Sequence, residues 1–258
     1  EALYEGNGTK NDDGIEMMSS DALLQSAMPT MKAEATMLSY EQLECTAPDW
    51  GYTQSGQDVW FYVTEDEMVL TPAADANKVF TFLVYWETRF PSSGPAEAGT
   101  QITVRGAGFD PAKAGSSYAC KFVNAHDSSQ QMISESVQWV SYKEIVCSTS
   151  EWEYVQALTN MSLLVDGETM RRVGLDQEVY LNASWSYLSA STGPASGGTV
   201  LYITGAGFDT DNQDYTCVFT GQSSGTEVEV NATALSQTNF SCTTLRWPTM
   251  VENTIVSI

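Results

Sequence analysis

The chain of 258 residues is poor in positive charge. Lys and Arg number 11 against 33 Asp and Glu, a formal net charge of −22. Nucleic-acid binding draws its affinity from cationic side chains that release phosphate counterions, so a polyanion of this kind is set against it. The same charge disfavours insertion among anionic lipid headgroups. Long apolar runs are missing too, and none approaches the roughly 20 residues that span a bilayer as a helix. Histidine occurs once, as His126. A multi-histidine metal site is thereby excluded, and a Ser-His-Asp triad would have to use this one residue. His126 sits in a polar stretch with Asp127 and Ser128 beside it. Adjacency in a loop is not the spatial arrangement a triad needs. We therefore expect no catalytic residue, no metal ligand set and no cofactor.

What the chain does contain is a repeat. Gly94-Pro95-Ala96 through Gly106-Ala107-Gly108-Phe109-Asp110 returns as Gly193-Pro194-Ala195 through Gly205-Ala206-Gly207-Phe208-Asp209, 99 residues later. A second block runs from Ser39-Tyr40 to Cys45, with Trp50 after it. It recurs from Ser141-Tyr142 to Cys147 with Trp152, and from Ser236 to Cys242 with Trp247. A third block, Tyr118-Ala119-Cys120-Lys121-Phe122, returns as Tyr215-Thr216-Cys217-Val218-Phe219. Ordered blocks at one spacing are the mark of tandem units. Residues 87–184 read as a complete copy. Residues 1–86 read as a partial copy without its N-terminal strands, and 185–258 as a third copy without its last strand. The expectation is a segment of a longer tandem array.

The segments alternate as strands do. Gln101-Ile102-Thr103-Val104-Arg105 is polar and apolar in turn. Tyr118, Cys120 and Phe122 share one face of an extended segment, as do Phe240 and Cys242. Turn residues punctuate at short intervals, giving an all-β sandwich of about seven strands per repeat. In the Gly-Ala-Gly-Phe corners two glycines permit positive φ and close backbone approach. The Phe that follows then plugs the end of the sandwich. A phosphate-binding loop is set aside, since no Lys or helix pattern follows and Asp110 or Asp209 would repel the phosphate.

The Gly-Pro-Ala-x-x-Gly-Thr run, the Gly-Ala-Gly-Phe corner and the Cys45-Thr46-Ala47-Pro48 segment resemble the IPT/TIG immunoglobulin-like domain. The resemblance covers the chain as three tandem copies, although Pro48 becomes Ser150 and Leu245 in the later ones. It implies tandem immunoglobulin-like sandwiches used for binding, adhesion or spacing. Such domains occur in plexin-type receptors, in large extracellular proteins, beside catalytic domains of secreted carbohydrate enzymes, and in some transcription factors. None of those uses places catalysis in the domain itself. The expected function is a structural or adhesive module. Its partners would be other protein chains or copies of itself, with glycans as a further class. Accessory domains of a secreted carbohydrate-active enzyme and a plexin-like ectodomain are the rival readings.

Cys120 with Cys147 and Cys217 with Cys242 hold equivalent positions in two copies, each on the apolar phase. Both pairs read as intradomain disulfides, with reduced core thiols as the alternative. Alignment sets Ala2 where Cys217 stands, which leaves Cys45 without an intradomain partner, either as a free core thiol, the favoured reading, or joined to another chain. Sequons occur at Asn7, Asn160, Asn182, Asn231 and Asn239, half of the ten asparagines. Asn182 and Asn239 alternate with apolar neighbours and should face outward, where a glycan fits. Together with the cysteine pairs they favour a secreted or cell-surface location. Asp209-Thr210-Asp211 begins like a calcium loop, but Asp214 and Thr220 stand where an EF-hand needs Gly and Glu. A solvated acidic surface is the simpler reading, with a weaker calcium site between domains as its rival. Trp86 and Trp185 stand where one copy passes into the next. We expect each to pack against both neighbours at the junction, the alternative being the core of one domain.

Overall fold

The computed structural model describes residues 2–5, 31–49, 58–65, 68–70, 79–113, 117–134, 136–175, 177–211, 214–249 and 251–258. The sequon at Asn7 and the first copy's Trp50 lie outside the described residues.

The second repeat is a two-sheet sandwich. One sheet runs in the order Val137–Ser141, Glu144–Ser148, Gln101–Ala107, Tyr85–Phe90. The other runs Gln131–Ser134, Tyr118–Asn124, Ala157–Val165, Glu178–Asn182, Ser93–Pro95, with Glu168–Thr169 folded onto Ala157–Val165. The alternation explains the layers. Ile102 and Val104 point into the core from the first sheet, and Tyr118, Cys120 and Phe122 from the second. Ala157–Val165 contributes Met161 and Leu163, and Glu178–Asn182 contributes Val179 and Leu181. Each fully buried side chain of this size stabilises by about 1.5–3 kcal/mol relative to its exposed state. Cys120 and Cys147 join the two sheets through a disulfide spanning 27 residues.

Among the described residues, one pair of strands in this sandwich is parallel. Ser93–Pro95 lies beside Glu178–Asn182, with Gly94 opposite Leu181. The chain therefore crosses from the first sheet to the second between Phe90 and Ser93, and its second strand exists through its pairing with the last.

The third repeat repeats the plan with two changes. Its strands follow the path Ser184–Leu188, Val200–Ala206, Asn239–Thr243, Glu227–Ser236, Thr216–Gly221, Thr254–Ser257. Glu227–Ser236 is one continuous strand that pairs with Thr216–Gly221 at its start and with Asn239–Thr243 at its end. The second repeat uses two strands, Gln131–Ser134 and Val137–Ser141, for the same job. The other change is that Thr192-Gly193-Pro194 is not a strand. Its counterpart Ser93–Pro95 pairs with Glu178–Asn182, and among the described residues nothing takes the place of that partner. A disulfide joins Cys217 to Cys242.

The N-terminal region, expected to be a first copy, is sparser. Ala2–Glu5 pairs with Met31–Ala33 and Asp58–Glu65, which in turn pairs with Val79–Thr81. Ala35–Ser39 and Gln42–Cys45 form a separate hairpin. Val59 is buried against Met31, Cys45, Phe61 and Phe82. Cys45 is free and half-buried in that cluster.

Candidate interaction surfaces

The repeated corner sets the ends of the sandwiches. Its two glycines do different work. A Cβ on Gly205 would lie 2.0 Å from the Ser184 carbonyl oxygen, and one on Gly106 would overlap the Tyr85 carbonyl as closely. These first glycines let the strand cross its neighbour at a bulge. The second glycines, Gly108 and Gly207, have φ of 83° and 82°, a region open chiefly to glycine. Phe109 and Phe208 then turn inward and are buried. Phe208 meets Phe240 with ring centroids 4.0 Å apart, and Phe109 meets Tyr118 edge-on at 6.2 Å. The following amides close each corner. Asp110 N–H donates to the Tyr118 hydroxyl (2.8 Å), and Asp209 N–H to the Tyr215 hydroxyl (3.0 Å). Burial holds the Tyr118 phenol above its usual pKa.

The acidic start of the calcium-like run is occupied locally. Asp209 Oδ1 accepts the Asp211 N–H at 2.9 Å, as Asp110 Oδ1 accepts that of Ala112. These are turns in which an Asp side chain caps its own loop. Among the described residues no group of three or more His, Cys, Asp and Glu is placed to hold a metal. His126 sits in a turn where its N–H donates to Asn124 Oδ1 (2.9 Å), and the side chain is exposed. Asp127 is engaged with Ser129, so the sequence neighbours make a turn.

The corner of the third repeat docks into the end of the second. Ala206 has no solvent exposure and belongs to the second repeat's core cluster. The Gln156 N–H donates to the Gly207 carbonyl (2.8 Å), and the Ala183 N–H donates to Gln156 Oε1 (3.2 Å). A Cβ on Gly207 would stand 2.9 Å from that of Ala96. Between the first and second repeats the matching corner opens on a cleft of about 490 Å³, lined by Ala47, Pro48, Phe82, Leu83, Tyr85 and Gly106–Gly108 among others. Lys143 pairs with Asp49 across it. Burial, then the Glu87 carboxylate, raise the Tyr85 phenol's pKa there.

The two tryptophans do not make the junctions, contrary to expectation. Trp86 is 1% exposed in the second repeat's own core. Its backbone N–H donates to the Arg171 carbonyl (3.1 Å), and its backbone carbonyl accepts the Val173 N–H (2.9 Å). Trp185 is 37% exposed and lines a groove of about 590 Å³ within the third repeat. The junction is made by Ala206 and Gly207, small residues that allow two sandwiches to touch without a spacer. Repetition in the sequence marked these two, though as a corner within one repeat.

The sequon asparagines differ in what surrounds them. Asn231 is exposed. Asn182 Nδ2 donates to the Gly94 carbonyl (3.2 Å), and Asn160 Oδ1 accepts from Gln177 (2.9 Å). Asn239 Nδ2 donates to the Thr238 hydroxyl (3.0 Å).

A family model of the IPT/TIG domain matches residues 88–177 and again 185–258. A search among curated protein sequences finds no match. Among solved structures, the chain is similar to the full extracellular region of plexin A4. A form with domains 1 to 10 matches at 17% identity and a TM-score of 0.29 over 85% of this chain. A form with domains 1 to 8 matches at 14% identity and a TM-score of 0.32 over 100%. The chain spans 18% and 30% of the length of those two chains.

Proposed function

Because this chain belongs to the IPT/TIG domain family, we propose that it is a spacing and adhesive segment of a longer extracellular tandem-repeat protein, assembling with other protein chains. The family is non-catalytic and immunoglobulin-like, which makes the chain a protein-interaction module at the coarser level. Its units are taken as 1–86, 87–184 and 185–258, and its location as secreted or cell-surface. Two disulfides in small β domains support that location.

The observation that carries the spacing role is the direct seating of Ala206 in the preceding repeat's core. A spacer holds its binding faces at fixed separation only when its units cannot swivel, and a buried corner resists swivelling where a linker would not. Small-angle scattering tests it with residues 1–258 and a Gly207→Val variant. The variant meets both Ala96 and the positive φ. The wild type should scatter as one rigid second-third unit, and the variant as a broader ensemble. Wild-type scattering that fits freely jointed sandwiches would overturn the reading.

A further inference from the structure

One sheet face of the third repeat is built without charge. No Asp, Glu, Lys or Arg occurs between Val179 and Phe208, nor between Val230 and Leu245, where the chain's 17% average would place several. Those two stretches supply one whole layer: Ser184–Leu188, Val200–Ala206, Asn239–Thr243 and the end of Glu227–Ser236. Thr254–Ser257 pairs in the opposite layer, so this face is complete within the described strands.

Alternation decides what the face presents. Leu201, Ile203, Ala232, Phe240 and Cys242 are buried in the core. Their strand neighbours point outward. Tyr187 is 60% exposed, Tyr202 52% and Leu235 54%. Tyr187 lies opposite Thr204, and Ser241 lies between Tyr202 and Thr233. The two tyrosines are diagonal neighbours on adjacent strands, within reach of one another. The same face of the second repeat is charged. Arg105 pairs there with Glu144 at 3.2 Å. At the equivalent place the Thr204 hydroxyl donates to Asn239 Oδ1 (3.5 Å), and Tyr202 stands where the second repeat has Thr103. The fold accepts an ion pair at this position, so packing does not require the neutral face.

Copies of a chain with a net charge of −22 repel one another. Contact over this face sets no charged strand residue of one copy against one of the other. Tyrosine supplies a large rigid contact at small entropic cost, and Ser, Thr and Asn adapt their hydrogen bonds around it. We propose that this face is a self-association surface, on which a second copy of the chain docks its own Tyr187–Tyr202 patch about a two-fold axis. The sheets then stack face to face about 10 Å apart. Four strands about 4.8 Å apart and about five residues deep give a flat area of about 320 Å² per copy. That is well under the roughly 800 Å² per partner of a standard interface. A single contact is therefore weak and gains strength where arrays engage at several places. Asn239 lies on the same face with its amide bonded to the Thr238 hydroxyl, which keeps the face bare of glycan. This inference rests on the adhesive reading and names a second copy as the partner. It is independent of the junction.

Sedimentation equilibrium of residues 1–258 tests it. The chain should dimerise reversibly with a Kd of about 0.1–1 mM. The dimer should tighten as NaCl rises from about 0.1 to about 1 M, because the Debye length falls from about 10 to about 3 Å and like-charge repulsion fades. Tyr187→Asp together with Tyr202→Asp should weaken it at least about tenfold. Tyr187→Ser with Tyr202→Ser should act in the same direction, and serves where the Asp pair disturbs folding. Ile133→Asp, on an exposed site of the second repeat, should leave the dimer unchanged. A chain that stays monomeric overturns the proposal, as does a dimer indifferent to both tyrosines or one that loosens with salt. Tyrosine ring resonances that shift with maltotriose but not with protein concentration would assign the face to a carbohydrate and overturn it too. So would a glycan found on Asn239 in natively sourced protein. A monomer whose second-third unit scatters as one rigid body would strike this inference and leave the spacing reading standing.

Discussion

Trp86 and Trp185 occupy the same position in consecutive repeats, yet one is 1% exposed and the other 37%. The difference lies in what covers them. Arg171–Val173 pairs with the backbone of Trp86, whose side chain lies in the second repeat's core. Trp185 faces the groove.

Trp86→Ala should therefore cost the second repeat about 3–5 kcal/mol, the range for emptying a large core aromatic site. Trp185→Ala should cost the third repeat clearly less, since its transfer from water is incomplete. Thermal melts of both variants, read by near-ultraviolet circular dichroism, compare the two. Equal losses would contradict this account of their surroundings.

Alkylation without reductant should modify Cys45 alone. Peptide mapping should recover Cys120 linked to Cys147 and Cys217 linked to Cys242. Opening either bridge spans a similar length of chain, 27 and 25 residues. Each Cys→Ser pair should cost roughly 3 kcal/mol in the chain-entropy model. Modification of all five thiols in native material would remove this argument for an oxidising compartment.

Of the described sequons, Asn231 is the readiest to carry a glycan. A glycan replaces one Nδ2 hydrogen, and Asn182 and Asn239 commit that amide to neighbours. Asn231 is exposed on the Glu227–Ser236 strand. Enzymatic deglycosylation of natively sourced protein should convert Asn231 to Asp more fully than Asn182. The reverse order would show that strand edges, rather than amide engagement, set occupancy.

The Glu252 carboxylate ties down the Ser223–Ser224 turn. It accepts from the Ser224 hydroxyl and from the amides of Ser223 (2.9 Å) and Ser224 (3.0 Å). The Ser224 hydroxyl, then the Ser223 amide, hold its pKa below the ordinary 4.5. A lowered folded pKa means the contact stabilises above the unfolded value and fades as pH falls through the folded one. The Ser223 and Ser224 amide resonances should titrate with a midpoint below 4.5, and Glu252→Gln should abolish that titration. A midpoint at or above 4.5 would show the turn held by something else.

Much of the sandwich is legible in the sequence because its determinants are local. Alternation fixes which of Tyr118, Ala119, Cys120, Lys121 and Phe122 face the core. The repeated corner marks where strands must bulge and where φ turns positive, although pattern alone does not say that Gly205 serves approach and Gly207 serves conformation. The environments of Trp86 and Trp185 are not local. They depend on segments distant in the chain, such as Arg171–Val173 for Trp86. The outward phase of Asn182 likewise says nothing of the Gly94 carbonyl it meets, because the parallel pairing that brings them together joins distant segments. The fusion of two strands into Glu227–Ser236 escapes the eye for a related reason. It follows from the path between sheets, which alternation does not encode.

Ala206 has a consequence for how such chains can be recombined. It is covalently part of the third repeat and energetically part of the second. A cut placed at the sequence boundary near residue 184 would leave the upstream piece with a hole at its end and the downstream piece with a bare corner. Stability in an array of this kind is shared between nearest neighbours rather than owned by each unit. A graft that swaps one sandwich for another must therefore match a donor's alanine-glycine corner to an acceptor's Ala96, Gln156 and Ala183. Order along the chain is in this sense a property written at the seams.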